Sequence, residues 1–181
     1  MKTITKFFAI AIVMLLAVSC ASTPSLQKYY IDNQDDENFI SLDLPASLVT
    51  LKENASPEAK KALESIKKLN VLAFVKNNAN EAQYALENKK VNTIIKADKY
   101  IELIRVKNKG RNFVIKYEGS ESDTSLNELV VYANDKSKGF ALIRVLGDNM
   151  EPGKILKMVN EIGDIDGDSF KELKDLAKNI N

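Results

Sequence analysis

Apolar positions change their spacing several times along this 181-residue chain, and each change marks an expected element. Phe39-Ile40-Ser41-Leu42-Asp43-Leu44 reads as a short strand that Pro45 stops. Ser56-Pro57-Glu58 gives a helix start, with a hydroxyl cap, a proline at the first helical position and an acid in the first turn. Ala59, Ala62, Leu63, Ile66 and Leu69 carry that helix forward at helical spacing. Val71-Leu72-Ala73-Phe74-Val75 is a continuous apolar run of strand length. Asn80 and Gln83 read as a capping pair for a second helix to about Ala97, with Ala82, Tyr84, Leu86, Val91, Ile94 and Ile95 as its apolar content.

From Tyr100 the texture turns to β. Tyr100–Lys107 and Asn112–Glu118 flank the turn Asn108-Lys109-Gly110-Arg111, and Leu126–Ala133 and Gly139–Leu146 flank the polar turn Asn134–Lys138. After Gly147 helical spacing returns over Pro152–Ile162 and again over about Ser169–Ile180. This order predicts an α+β domain: a mostly antiparallel sheet, carrying two hairpins in its C-terminal half, with helices packed on a face.

The amino-terminal end carries an address. Lys2 and Lys6 precede the apolar run Phe7–Leu16, which is too short for a comfortable bilayer span, and Ala17-Val18-Ser19 leads to Cys20, the chain's one cysteine. The segment resembles the bacterial lipobox, with Ala17 where that pattern prefers leucine and Leu16 one place further out. On this reading residues 1–19 are a signal peptide and Cys20 becomes the acylated first residue. Two or three acyl chains, at about 0.8 kcal/mol per buried methylene, anchor a protein stably. An ordinary secretory signal is the bland alternative, but it would more often end in an A-x-A-like site.

Residues 20–37 are rich in Ser, Gln, Asn and Asp and read as a tether. Tyr29-Tyr30-Ile31 interrupts them, to pack on the domain or to sit at the lipid interface. Residues 38–181 then form a single domain. No acidic residue follows Cys20 before Asp32, which favours a periplasm-facing position. No cysteine remains for a disulfide, so the core alone must hold the fold.

Tyr100-Ile-Glu-Leu with its hairpin, Asn127-Glu-Leu-Val-Val-Tyr132, Phe140-Ala-Leu-Ile-Arg-Val-Leu-Gly147 and the closing apolar helix together resemble the domain of unknown function 4252 family of bacterial lipoproteins. The resemblance implies a lipid-anchored α+β domain in the cell envelope, and it supplies no catalytic residue.

Composition narrows the chemistry. With no histidine, no tryptophan and an acylated cysteine, the chain cannot build a Ser-His-Asp triad, a Cys-His pair or a His-bearing zinc or haem site. The formal charge of +1 becomes −1 once Lys2 and Lys6 leave with the signal, and no basic stripe marks a nucleic-acid partner. A hydrolase would need paired carboxylates or a Ser-Lys unit. Ser65-Ile66-Lys67-Lys68 has the latter spacing, but its lysine suits the wet face of a helix.

Asp164, Asp166, Asp168, Phe170, Glu172 and Asp175 fall at positions 1, 3, 5, 7, 9 and 12 of a calcium-type loop. Position 6 is Ser169 where glycine is wanted, and position 12 is the short Asp175. A turn between two helices, with Asp168 as N-cap, accounts for the same residues and is the reading adopted. Lys107, Lys109 and Arg111 could touch anionic headgroups, although a solvated hairpin tip that discourages edge-to-edge association is the favoured reading. Tyr84, Tyr100, Tyr117 and Tyr132 could line a groove or fill the core. The expected protein is thus a non-catalytic binding or interaction module without a cofactor. Its partners are membrane lipid through Cys20 and an envelope protein or ligand. A calcium-dependent accessory lipoprotein and a hydrolase remain the alternatives.

Overall fold

The computed structural model describes residues 25–120 and 122–165. Four helices occur in this span: α1 (Leu26–Asn33), α2 (Pro57–Ser65), α3 (Glu81–Ile95) and α4 (Pro152–Val159). Strands β1 (Phe39–Pro45), β3 (Ile66–Val75), β4 (Tyr100–Asn108), β5 (Arg111–Glu118), β6 (Leu126–Asp135) and β7 (Gly139–Met150) form one sheet in the order β1-β3-β7-β6-β5-β4, antiparallel throughout. β2 (Val49–Leu51) and β8 (Ile162–Ile165) make a separate antiparallel pair. The α+β architecture with its two C-terminal hairpins is as the spacing predicts.

Helices cover both faces of the sheet rather than one. On the first face α1 and α3 bury Leu26, Tyr29, Tyr84, Val91 and Ile94 against Phe39, Phe74, Phe140 and Leu142. On the second, α2 and α4 bury Ala59, Ala62, Ile155 and Met158 against Ile115, Tyr117, Leu129 and Val145. Double coverage explains why Val71–Phe74 is apolar without alternation: every side chain of that run is buried. The first face holds an aromatic cluster, with Phe39 edge-on to Phe74 at 5.1 Å and Phe74 stacked on Phe140 at 5.6 Å.

Several local expectations give way to tertiary pairing. Within the expected tether of residues 20–37, the chain from Leu26 is a helix capped by the Ser25 hydroxyl, which accepts from Lys28 N at 3.1 Å. Leu26, Tyr29 and Tyr30 are buried. Their i, i+3, i+4 spacing is an apolar stripe that the polar composition conceals, so the domain starts before residue 38.

The Ser56 cap forms, its hydroxyl accepting from Ala59 N at 3.2 Å, but the helix stops at Ser65. Ile66 and Leu69 belong to β3, paired with Gly147 and Val145. Asn80 does not cap α3: its side chain accepts from Asn77 N at 2.8 Å and donates to Val75 O at 2.9 Å, tying the entering loop to β3. β7 runs past Gly147 to Met150. At Gly147 a Cβ would lie 2.1 Å from the Ser65 carbonyl oxygen, so glycine is what lets the α2–β3 junction cross the strand. α4 ends at Val159, and Ile162 opens β8 because β2 offers it a ladder.

Candidate functional site

The calcium-type loop is not a helix–helix turn at its start. Asp164 lies in β8, opposite Thr50, so its backbone is committed to a ladder. Asp166, Asp168, Phe170, Glu172 and Asp175 lie outside the described residues, as does Cys20. Among the described residues no group of three or more His, Cys, Asp or Glu side chains could hold a metal ion. Ser65 closes α2, its hydroxyl donating to Ala62 O at 2.6 Å, while Lys68 stands on β3, so the Ser-x-x-Lys spacing spans two elements.

The four tyrosines do not line one groove. Tyr84, Tyr100 and Tyr132 belong to the core under α1 and α3, and Tyr117 belongs to the core on the opposite face. Burial raises the Tyr132 hydroxyl pKa above its usual value, and Tyr117 donates to Ser120 O at 2.9 Å.

What the fold does assemble is a trough across the sheet. The register places Ile40, Ala73, Ala141, Ala133, Phe113 and Val106 in one continuous row over all six strands. Side chains in such a row share a face, here the one that α2 and α4 cover farther along. Three alanines in the middle with isoleucine, phenylalanine and valine toward the edges make the row concave. The adjoining inner row, Leu42, Val71, Ile143, Val131, Ile115 and Ile104, is uniformly large and forms a back wall. The resulting depression has a volume of about 530 Å³, within the range of small-ligand sites. Val106 at its edge is 54 % exposed.

The outer rim is built by the two hairpin ends. Val75, Gly139, Asp135, Arg111 and Asn108 continue the pairing there. Gly139, at φ 119°, stands where a Cβ would meet Phe74 O at 2.0 Å, so only glycine lets β7 start against β3. Asp135 accepts from the Ser137 side chain and backbone N–H and from Arg111 Nε at 2.8 Å, and these bonds hold its carboxyl well below the usual carboxylate range. Among the described residues it is the only carboxylate lining the trough, and it is already paired.

Arg111 is thus a rim residue, while Lys107 and Lys109 stand exposed on the tip of the β4–β5 hairpin. Ser25 lies beside Lys90 and Ile94 in the C-terminal half of α3, whereas Tyr84, near the N-terminus of α3, donates to Asn134 Oδ1 at the hairpin end of the sheet at 2.7 Å.

The alanine trough escapes sequence reading, since Ala73, Ala133 and Ala141 are far apart in the chain and only register aligns them. No curated protein and no solved structure matches the chain. A family model does, that of the domain of unknown function DUF4252, over residues 29–158, a span that opens inside α1 and closes within α4. The chain belongs to the DUF4252 family.

Proposed function

We propose that this chain is a lipid-anchored protein of the cell envelope, acting as a non-catalytic binding module that holds an acyl chain in the alanine trough. The observation that carries this reading is the six-strand row with its alanine centre. The floor of such a trough is a sheet interior whose backbone N–H and C=O groups are spent in the ladders on either side. A polypeptide laid there would bury its own backbone groups without partners, which costs several kcal/mol on the order of 2–7 per group. An acyl chain has no such groups and gains from every apolar contact.

Anchoring through Cys20 sets the orientation. Four residues stand between Cys20 and Ser25, and the five chain steps this makes reach about 17 Å at full extension. The α1 end of the domain would therefore stay near the bilayer, and the hairpin end with its trough would face the aqueous compartment. A periplasm-facing module of this kind suits carrying or sensing a lipid between membranes.

The test is titration of a form beginning at Ser25 with a fluorescent fatty acid. Saturable one-to-one binding is expected, lost in Ala141→Phe, which fills the trough while keeping the parent unfolding transition. Non-saturable partitioning, or binding untouched by Ala141→Phe and Ala133→Phe, would overturn the assignment. Displacement of the probe by apolar peptides but not by fatty acids would point instead to a protein partner.

A further inference from the structure

The other face of the same strand ends carries a second cleft of opposite character. There the row that begins with Phe39, Phe74 and Phe140 runs on through Asn134, Asn112 and Lys107. The aromatic half is roofed by α1 and α3. Over the amide half α3 sets Asn88 and Asn92, four residues apart and hence on one helix face, with Tyr132 reaching up to them. The cleft is open to solvent and measures about 490 Å³, and Lys107, Lys109, Arg111 and Lys136 border it.

The hydrogen bonds inside this cleft leave a defined set of groups unspent. The Tyr132 hydroxyl donates to Asn88 Oδ1. Asn92 Nδ2 donates to the same oxygen at 2.7 Å and to the Tyr132 hydroxyl at 3.3 Å. Tyr84 occupies Asn134 Oδ1. Among the described residues, Nδ2 of Asn88, Asn112 and Asn134 and Oδ1 of Asn92 have no protein partner, and Asn112 Oδ1 is buried with none. A buried amide oxygen left unpaired works against folding, and a purely structural position would be filled more stably by an apolar residue. Arg111 is held by Asp135, but Lys107, Lys109 and Lys136 make no ion pair among the described residues.

We propose that this cleft binds a phosphorylated sugar or polyol. Ring hydroxyls both donate and accept, which matches a wall offering free amide N–H and C=O groups side by side. The three unpaired lysines match a phosphate. Inorganic phosphate alone would not fill a cleft of this size, and a neutral sugar would leave the cations unmet. The same chemistry is offered by a free sugar phosphate and by the headgroup of a phosphorylated polyol lipid. The site opens on the other face from the alanine trough and shares the rim residues Asn108, Arg111, Asn112 and Asn134 with it, but Ala141 lines the trough alone, so Ala141→Phe should leave it intact.

Calorimetry on the full chain in a polyoxyethylene detergent, which contributes no sugar headgroup, tests the assignment with four probes: glucose 1-phosphate, glucose, inorganic phosphate and phosphatidylinositol in mixed micelles of the same detergent. Either glucose 1-phosphate or the micellar phosphatidylinositol should bind at least about tenfold more tightly than both glucose and phosphate, a difference of one well-made hydrogen bond to a charged or desolvated group. Preference for phosphatidylinositol assigns a lipid headgroup, and preference for glucose 1-phosphate assigns a free ligand. Asn112→Ala should weaken that binding about tenfold with the thermal midpoint unchanged or raised, because it removes the orphaned oxygen. Lys107→Gln should weaken it several-fold and flatten its salt dependence. Phosphate binding as tightly as the phosphorylated polyol, no saturable binding of any probe, or full affinity in Asn112→Ala would each overturn the proposal.

Discussion

Replacing Leu26 by alanine distinguishes a helix that belongs to the core from a tether that merely leads to it. Leu26 is 1 % exposed and lies in the cluster with Tyr29, Tyr30, Phe39 and Leu72. Cutting a fully buried leucine to alanine removes apolar contact and leaves a cavity that neighbours only partly close, a loss of about 2–5 kcal/mol. The total stability of a domain this size is about 5–15 kcal/mol, so the variant loses a large share of it.

Tyr30→Phe gives an independent reading of the same helix. Its one hydroxyl proton is shared between Asn70 O at 2.9 Å and Leu142 O, bridging β3 and β7 from above. That shared bond contributes roughly 0.5–1.5 kcal/mol. Ile31, 58 % exposed on the opposite side of α1, is the control, and Ile31→Ala should fall within about 0.5 kcal/mol of the parent. Urea unfolding of a form beginning at Ser25, followed by circular dichroism, measures all three. With a slope of about 2 kcal/mol per molar, Leu26→Ala should lower the midpoint by about 1–2.5 M. A form beginning at Asn38 should show both a lower midpoint and a shallower slope. A Leu26→Ala midpoint within about 0.2 M of the parent, the scale of a surface change, would refute the packing of α1 and restore the tether.

Cys20→Ser should release the protein from the membrane fraction or leave an uncleaved precursor, and normal processing with wild-type fractionation would remove the lipid anchor from the reading. Lys116 is 8 % exposed, with its amine donating to Tyr100 O at 3.2 Å, and burial lowers its pKa. The unfolded state therefore binds more protons at this lysine between the folded value and the unfolded value of about 10.4, so Lys116 contributes stability that rises with pH across that window, against the fall that the raised hydroxyls of Tyr29, Tyr30 and Tyr132 bring near and above about pH 10. Lys116→Met should abolish this rise and be neutral or stabilising by about 1 kcal/mol at pH 7, which thermal melts against pH would check. Gly147→Ala forces a Cβ into the Ser65 carbonyl and should cost more than about 2 kcal/mol, read as a fall in thermal midpoint. Calorimetry should find no saturable calcium binding below about 0.1 mM. A tighter site lost in Asp166→Ala would restore the calcium-loop reading of Asp164–Asp175.

Much of the fold is written locally. The alternation in Tyr100–Lys107, Asn112–Glu118, Leu126–Ala133 and Gly139–Leu146 fixes two hairpins, because residues two apart share a face and short polar turns leave only antiparallel pairing. Ser56-Pro57-Glu58 fixes a helix start, since a cap needs only its own neighbours. Where the helix ends is another matter: Ile66 and Leu69 fit a helical stripe and a strand equally well, and only the partners Gly147 and Val145 on β7 decide between them. Leu26, Tyr29 and Tyr30 looked polar by composition, and it took the surface of α3 and the sheet to make their stripe worth burying. Neither cleft could be seen in the chain. Ala73, Ala133 and Ala141 on one face, and Asn88, Asn92, Asn112 and Asn134 on the other, are ordinary residues in separate elements. Register across six strands and the placement of α3 bring them together: turns set the register within each hairpin, but Ala73 meets Ala141 only through the long-range pairing of β3 with β7.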